Sequence, residues 1–190
     1  MKMLNDRAIR SAFKTHFYRS KKETLIDEID LIKGKSRVDL IHFGEFVTGY
    51  EIKSDRDSLI RLAMQADTYN RSLEKIVLIC GSTHTENLRE KLPSWWGIIE
   101  AKSVGRRILF KEHRASQLSP FFNHVNLLDL LWKNELESIL ANYGFTKLQS
   151  RTRFELKTVI KSIAPYFELK EQIISLLNLR EPRPPAGQPE

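Results

Sequence analysis

Apolar positions recur along this chain with two periods, and the changes between them mark its elements. Ala8, Ile9, Ala12, Phe13 and Phe17 form a helical stripe. Asn5 or Asp6 can cap that helix, which is expected to run to about Tyr18. Thr24 to Leu31 (TLIDEIDL) alternates instead, with Leu25, Asp27, Ile29 and Leu31 on one face and Ile26, Glu28 and Asp30 on the other. A basic turn, Lys33 to Arg37, leads into VDLIHFGEFVTGYEIK. This stretch reads as two short strands, Val38 to Phe43 and Val47 to Lys53, joined at Gly44-Glu45. Strand alternation puts Glu51 and Lys53 on one face and Tyr50 and Ile52 in the opposite layer. Asp39 can then meet the charged pair across the hairpin.

Ser54 to Ser58 is rich in helix-capping residues, and Leu59, Leu62, Ala63, Ala66, Tyr69 and Leu73 follow at helical spacing. Gln65 and Tyr69, four apart, share a face. Lys75 to Cys80 is continuously apolar and ends in Gly81-Ser82, as a central parallel strand does, so the preceding helix makes a right-handed crossover. A second helix is expected over Thr85 to Lys91, and edge strands over Trp96 to Ala101 and Arg107 to Lys111. Trp95-Trp96 is expected to pack one sheet end. From Ser119 the pattern turns helical, with Leu127, Leu128, Leu130, Leu131, Leu136, Ile139 and Leu140 as core and Asn142-Tyr143-Gly144 as a stop. Phe154 to Leu179 makes one or two helices, broken at Pro165, with Arg151, Arg153, Lys157 and Lys161 as a basic face that could clamp DNA. The tail EPRPPAGQPE has a disordered composition. Three regions result: a core over 1–115, a helical region over 119–179 and a tail over 180–190.

Composition adds a sign to this frame. Lys and Arg number 31 against 24 Asp and Glu, a formal +7, which favours a polyanionic partner. The excess is uneven, with cations crowding the segment before Asp39. Cys80 is the one cysteine, which excludes an internal disulfide or a cysteine-based cluster, and the five histidines lack metal-ligand spacing. No apolar run approaches the roughly 20 residues of a membrane span, and MKMLNDRAIR lacks a signal-peptide core. A cytoplasmic protein without a membrane partner is expected. Asp39 and Glu51 at a strand junction offer hard oxygen ligands for Mg²⁺ or Mn²⁺, to which the Ile52 carbonyl can add another, and Lys53 could hold a water or polarise a phosphate.

Asp39, the spacer, Glu51-Ile52-Lys53 and the later Gln65-x-x-x-Tyr69 together resemble the PD-(D/E)xK nucleases, in particular the RecB-type and lambda-exonuclease-like branch and small bacterial nucleases, some linked with DNA repair. The resemblance covers roughly Asn5 to Lys111, and Val38 stands where the family name has Pro. It implies an α/β fold: a restriction-endonuclease-like mixed sheet flanked by helices, here with a small C-terminal helical appendage. It further implies metal-dependent hydrolysis of DNA phosphodiesters in repair or defence. Asp39, Glu51, Lys53, Gln65 and Tyr69 would be catalytic. Glu28, with Asp27 as competitor, would join Asp39, Glu51 and the Ile52 carbonyl around Mg²⁺ or Mn²⁺. A homodimer would suit cleavage of both strands, although no interface pattern marks one. The alternative is a catalytically silent nucleic-acid-binding module of the same fold.

Overall fold

The computed structural model describes residues 4–20, 25–32, 34–55, 57, 60–82, 88 and 90–180. The chain divides into two units, Met1–Asn126 and Leu127–Glu190. In the first, α1 (Asp6–Ser20) precedes β1 (Leu25–Leu31), β2 (Ser36–Phe43) and β3 (Val47–Lys53). Then α2 (Ile60–Ser72) leads into β4 (Lys75–Gly81), followed by β5 (Gly97–Val104) and β6 (Arg107–Arg114). The six strands form one sheet in the order β1-β2-β3-β4-β5-β6. β1 to β3 are antiparallel neighbours, β4 runs parallel to β3 and β5 parallel to β4, and β6 returns antiparallel to β5. The fold is mixed α/β.

Local chemistry explains the element ends. Asn5 Oδ1 accepts from the Ala8 amide at 2.8 Å, satisfying a free donor of the first turn of α1. The hairpin closes where Phe43 faces Val47, with Gly44-Glu45-Phe46 between them. β2 begins at Ser36, ahead of Val38, because Ser36 and Arg37 pair with Leu31 and Asp30 of β1.

Every residue of β3 is buried, which requires cover on both faces of the sheet. On one face Tyr50 and Ile52 join Ile9, Phe13 and Phe17 of α1, together with Leu25, Leu40, Val77 and Ile79. The Phe13 and Tyr50 ring centroids are 5.0 Å apart, and Phe110 of β6 meets Phe13 edge-on at 5.5 Å. On the other face Glu51 meets Tyr69 of α2. Gly49 lies there so close to Leu73 that a side chain would overlap it. Alternation along β3 thus sorts an aromatic layer from a polar one.

One expected face does not run through. Val38 lies beside Gly49 on the α2 side, whereas Leu40, two residues on, belongs to the α1 cluster. A regular strand would keep both on one face. The register passes from Asp27 with Leu40 to Ile29 with Val38, and Glu28 between them has φ +50°. The irregularity therefore falls where Glu28 and Asp39 face each other. Elsewhere, Ala63 is exposed beside Ile60 and Met64 rather than in the core stripe. β5 is not an edge strand, since it pairs with both β4 and β6. Trp96 is fully buried with its indole nitrogen on Asn70 Oδ1 at 2.8 Å. Leu59, most of the helix expected over Thr85 to Lys91, and positions 181–190 of the tail lie outside the described residues.

The second unit holds α3 (Lys133–Asn142), α4 (Arg153–Ile163) and α5 (Tyr166–Asn178). Pro165 separates α4 from α5. Thr152 and Glu155 cap α4 reciprocally, the Thr152 amide donating to Glu155 Oε2 at 2.7 Å and the Glu155 amide to Thr152 Oγ1 at 3.2 Å. The expected basic face is partly spent internally: Lys157 pairs with Asp129 at 2.5 Å, and Arg153 donates to the Leu131 carbonyl at 2.7 Å. Among the described residues, no helix is long and apolar enough to cross a membrane.

Phe13 ties α1 to Tyr50 of β3 and Phe110 of β6, so Phe13→Ala should lower unfolding free energy by about 3–5 kcal/mol and Phe13→Leu by less than half of that. Urea denaturation with an unchanged slope would confirm it.

Candidate functional site

Where β1, β2, β3 and α2 converge, a cavity of about 230 Å³ is lined by Glu28, Arg37, Asp39, Glu51, Lys53, Arg61 and Gln65. A cavity of about 250 Å³ in the helical unit, around Phe145 and Leu148, gathers no comparable set of ionisable groups. Of the two acids weighed on β1, Glu28 lines the site, while Asp27 pairs with Lys14 of α1.

Strand alternation and the α2 helical repeat bring Asp39, Glu51, Lys53, Gln65 and Tyr69 together, as their spacing implied. What they touch is more specific. Asp39 Oδ2 accepts from the Ile52 amide at 2.7 Å, and Oδ1 accepts from Arg10 Nη2 at 2.6 Å. Arg10 Nη1 also donates to Glu28 Oε1 at 3.2 Å. Glu51 Oε1 accepts from Lys53 Nζ at 2.5 Å, and Oε2 from the Tyr69 hydroxyl at 2.6 Å. That hydroxyl also lies 2.7 Å from the Arg37 carbonyl oxygen and accepts from Gln65 Nε2 at 3.0 Å. Of its two acceptors, the charged carboxylate is the stronger.

Burial sets the electrostatics. The Glu51 side chain is 3% exposed and that of Lys53 11%, so each ion has lost most of its water and depends on the other. Burial first, and then the nearby Glu51 charge, push the Asp39 carboxyl up to about 7; the Ile52 amide and Arg10 oppose the shift. Burial and the Glu51 charge also push the Tyr69 phenol up, holding it protonated as a donor.

Arg10 and Arg61 were not among the expected site residues. Arg10 follows Ile9 and lies three before Phe13, at the border of the apolar stripe. That position reaches over the sheet while its neighbours enter the core. The signal was a cation at the edge of an amphipathic face, but only the crossing of α1 over the strands names its partner.

All four oxygens of Asp39 and Glu51 already accept from protein donors. A divalent ion would have to compete with Arg10 and Lys53 for them, and among the described residues no group of three or more His, Cys, Asp or Glu side chains is disposed to hold a metal. In this arrangement the oxygens are engaged by protein donors, and Ile52 is engaged through its amide. What the arrangement does chemically is neutralise its own charges.

Two outcomes follow from that. Breaking the buried pair by Glu51→Ala should cost about 3–5 kcal/mol, whereas Glu51→Leu/Lys53→Met should recover most of the loss; equal costs in denaturant titration would refute the pairing. Asp39 binds its proton more tightly in the folded chain than in the unfolded one, where a carboxyl keeps its ordinary value near 3.8. Its contribution is fully present below about pH 4 and is lost as pH rises through about 7. Stability of the wild type should therefore fall across that window relative to Asp39→Asn, as read from melting temperatures at each pH.

A family model described as Bacteriophage P4 protein cII matches residues 8–182. Protein cII of Enterobacteria phage P4 is 31% identical over 123 residues, covering 65% of this chain and 47% of that relative. The chain thus spans about half the length of the curated relative it matches. No solved structure matches it. These matches correct the expectation of a PD-(D/E)xK nuclease, and with it those of a Mg-dependent deoxyribonuclease, of phosphodiester hydrolysis and of a role in repair or defence. The site shows the physical reason for the misreading: spacing brought the Asp, Glu and Lys together, but their oxygens and ammonium are spent on one another and on Arg10 and Tyr69. With the match extending through both units, the chain belongs to the bacteriophage P4 protein cII family.

Proposed function

We propose that this chain is a nucleic-acid-binding module that does not cut its ligand, built on a restriction-endonuclease-like sheet. The order of helix, three antiparallel strands, helix and parallel strand supports that architecture. The division of charge carries the functional reading. The site's acids are matched internally by Arg10, Lys53 and Arg37. Most of the formal +7 is thereby left to groups outside it. A polyanion meeting such a surface releases counterions, and its affinity must depend on salt.

Fluorescence anisotropy on a labelled 20-base-pair DNA duplex between 50 and 200 mM salt provides the test, run with Mg²⁺ or with a chelator at matched ionic strength. Affinity should fall by about tenfold or more across that range, as expected for several neutralised phosphates. It should be the same with metal and with chelator, and the duplex should stay intact. Affinity that ignores salt, or that requires Mg²⁺, would refute the proposal.

A further inference from the structure

Resting on the nucleic-acid reading above, we propose that the end of the β5-β6 hairpin is the surface that enters a groove of duplex DNA. Pairing between β4 and β5 ends at Gly81 with Ala101. Beyond it Lys102 pairs with Leu109, Ser103 with Ile108 and Val104 with Arg107, so among the described residues these strands have only each other as ladder partners. Gly105 at φ +60° followed by Arg106 makes the two-residue turn, for which glycine at the first position suits the twist of a hairpin. From Lys102 to Leu109 the sequence is KSVGRRIL: three cations and no acid.

The two faces of this ribbon differ. Ile108 and Phe110 turn toward α1 and pack on its cluster, which anchors the ribbon at its base. By alternation and register the other face carries Lys102, Val104, Arg107, Leu109 and Lys111. Lys102, Arg106, Arg107 and Lys111 are exposed, and so are Val104 at 50% and Leu109 at 53%. The acid on this face, Glu100, lies 2.7 Å from His113 Nε2. Arg114 is committed elsewhere, to the Trp96 and Pro93 carbonyls at 2.6 and 2.9 Å.

Charge complementarity selects the occupant. Two strands roughly 5 Å apart fit a B-form major groove about 12 Å wide. Cations on both strands and at the turn would then meet phosphates, while Val104 and Leu109 face base edges and thymine methyls. The deep, narrow major groove of duplex RNA does not admit such a ribbon. The same pair of apolar residues flanked only by cations would be a poor seat for an apolar protein partner.

The test compares Lys102→Gln/Arg106→Gln/Arg107→Gln with a control of equal charge, Arg71→Gln/Lys91→Gln/Lys147→Gln, in which all three residues are also exposed. Duplex DNA binding is titrated against salt, and urea midpoints confirm that both variants fold. The ribbon variant should lose roughly 10- to 100-fold in affinity, and its log-log salt slope should shrink by about 3, near 0.9 for each lost phosphate contact. The control should lose little. Equal losses in both variants would overturn the proposal, because binding would then follow net charge. Unchanged binding by the ribbon variant would overturn it while leaving the nucleic-acid module standing. Absence of binding by the wild type would overturn the module itself, and the ribbon with it.

Discussion

The buried Glu51–Lys53 pair on the central strand is the constraint to which the first unit is fitted. Each ion has left water at a cost of several kcal/mol, and their mutual attraction offsets that cost only if the remaining oxygen finds a donor. Tyr69 supplies it, and so α2 must lie at the height where that hydroxyl reaches Glu51, with Gln65 one turn earlier supporting it. Asp39, next to Glu51, cannot share the neighbourhood as a bare anion. It takes the Ile52 amide and draws in Arg10, which fixes where α1 crosses the sheet. The irregular backbone at Glu28 stands at the same point and lets β1 place the Glu28 carboxylate against the same guanidinium.

The two faces of β3 divide the work. Tyr50 and Ile52 give the aromatic layer with Phe13 and Phe17, a source of stability that needs no precise geometry beyond packing. Glu51 and Lys53 give a layer in which both Glu51 oxygens find donors, which adds specificity of arrangement more than net stability. Exposed cations sit elsewhere, among them those at the end of the β5-β6 hairpin, where pairing to the rest of the sheet has stopped.

Much of this was legible in the sequence. Alternation around Gly44 gave the hairpin, and the apolar run from Lys75 gave the central parallel strand, because period and length alone decide those elements. The same alternation, combined with the four-residue step from Gln65 to Tyr69, brought the site residues together. Three things were not legible. Ala63 fits the helical period, yet it is exposed, since periodicity does not say how wide a stripe the sheet covers. Arg10 as partner of Asp39 depends on a tertiary crossing angle. The identity of the site was misjudged because a spacing of Asp, Glu and Lys reports juxtaposition, whereas chemistry depends on whether the oxygens are open, and these are closed by Arg10, Lys53, Tyr69 and the Ile52 amide.

Paramagnetic relaxation by Mn²⁺ tests most directly whether this cluster is complete in itself. In an amide-resolved NMR titration with substoichiometric Mn²⁺, the signals of Asp39, Glu51, Ile52 and Lys53 should broaden no more than those of exposed acids such as Glu90 or Glu171. Selective loss of those four signals at low Mn²⁺ would show that the oxygens are open to a metal, and that internal neutralisation does not describe the site.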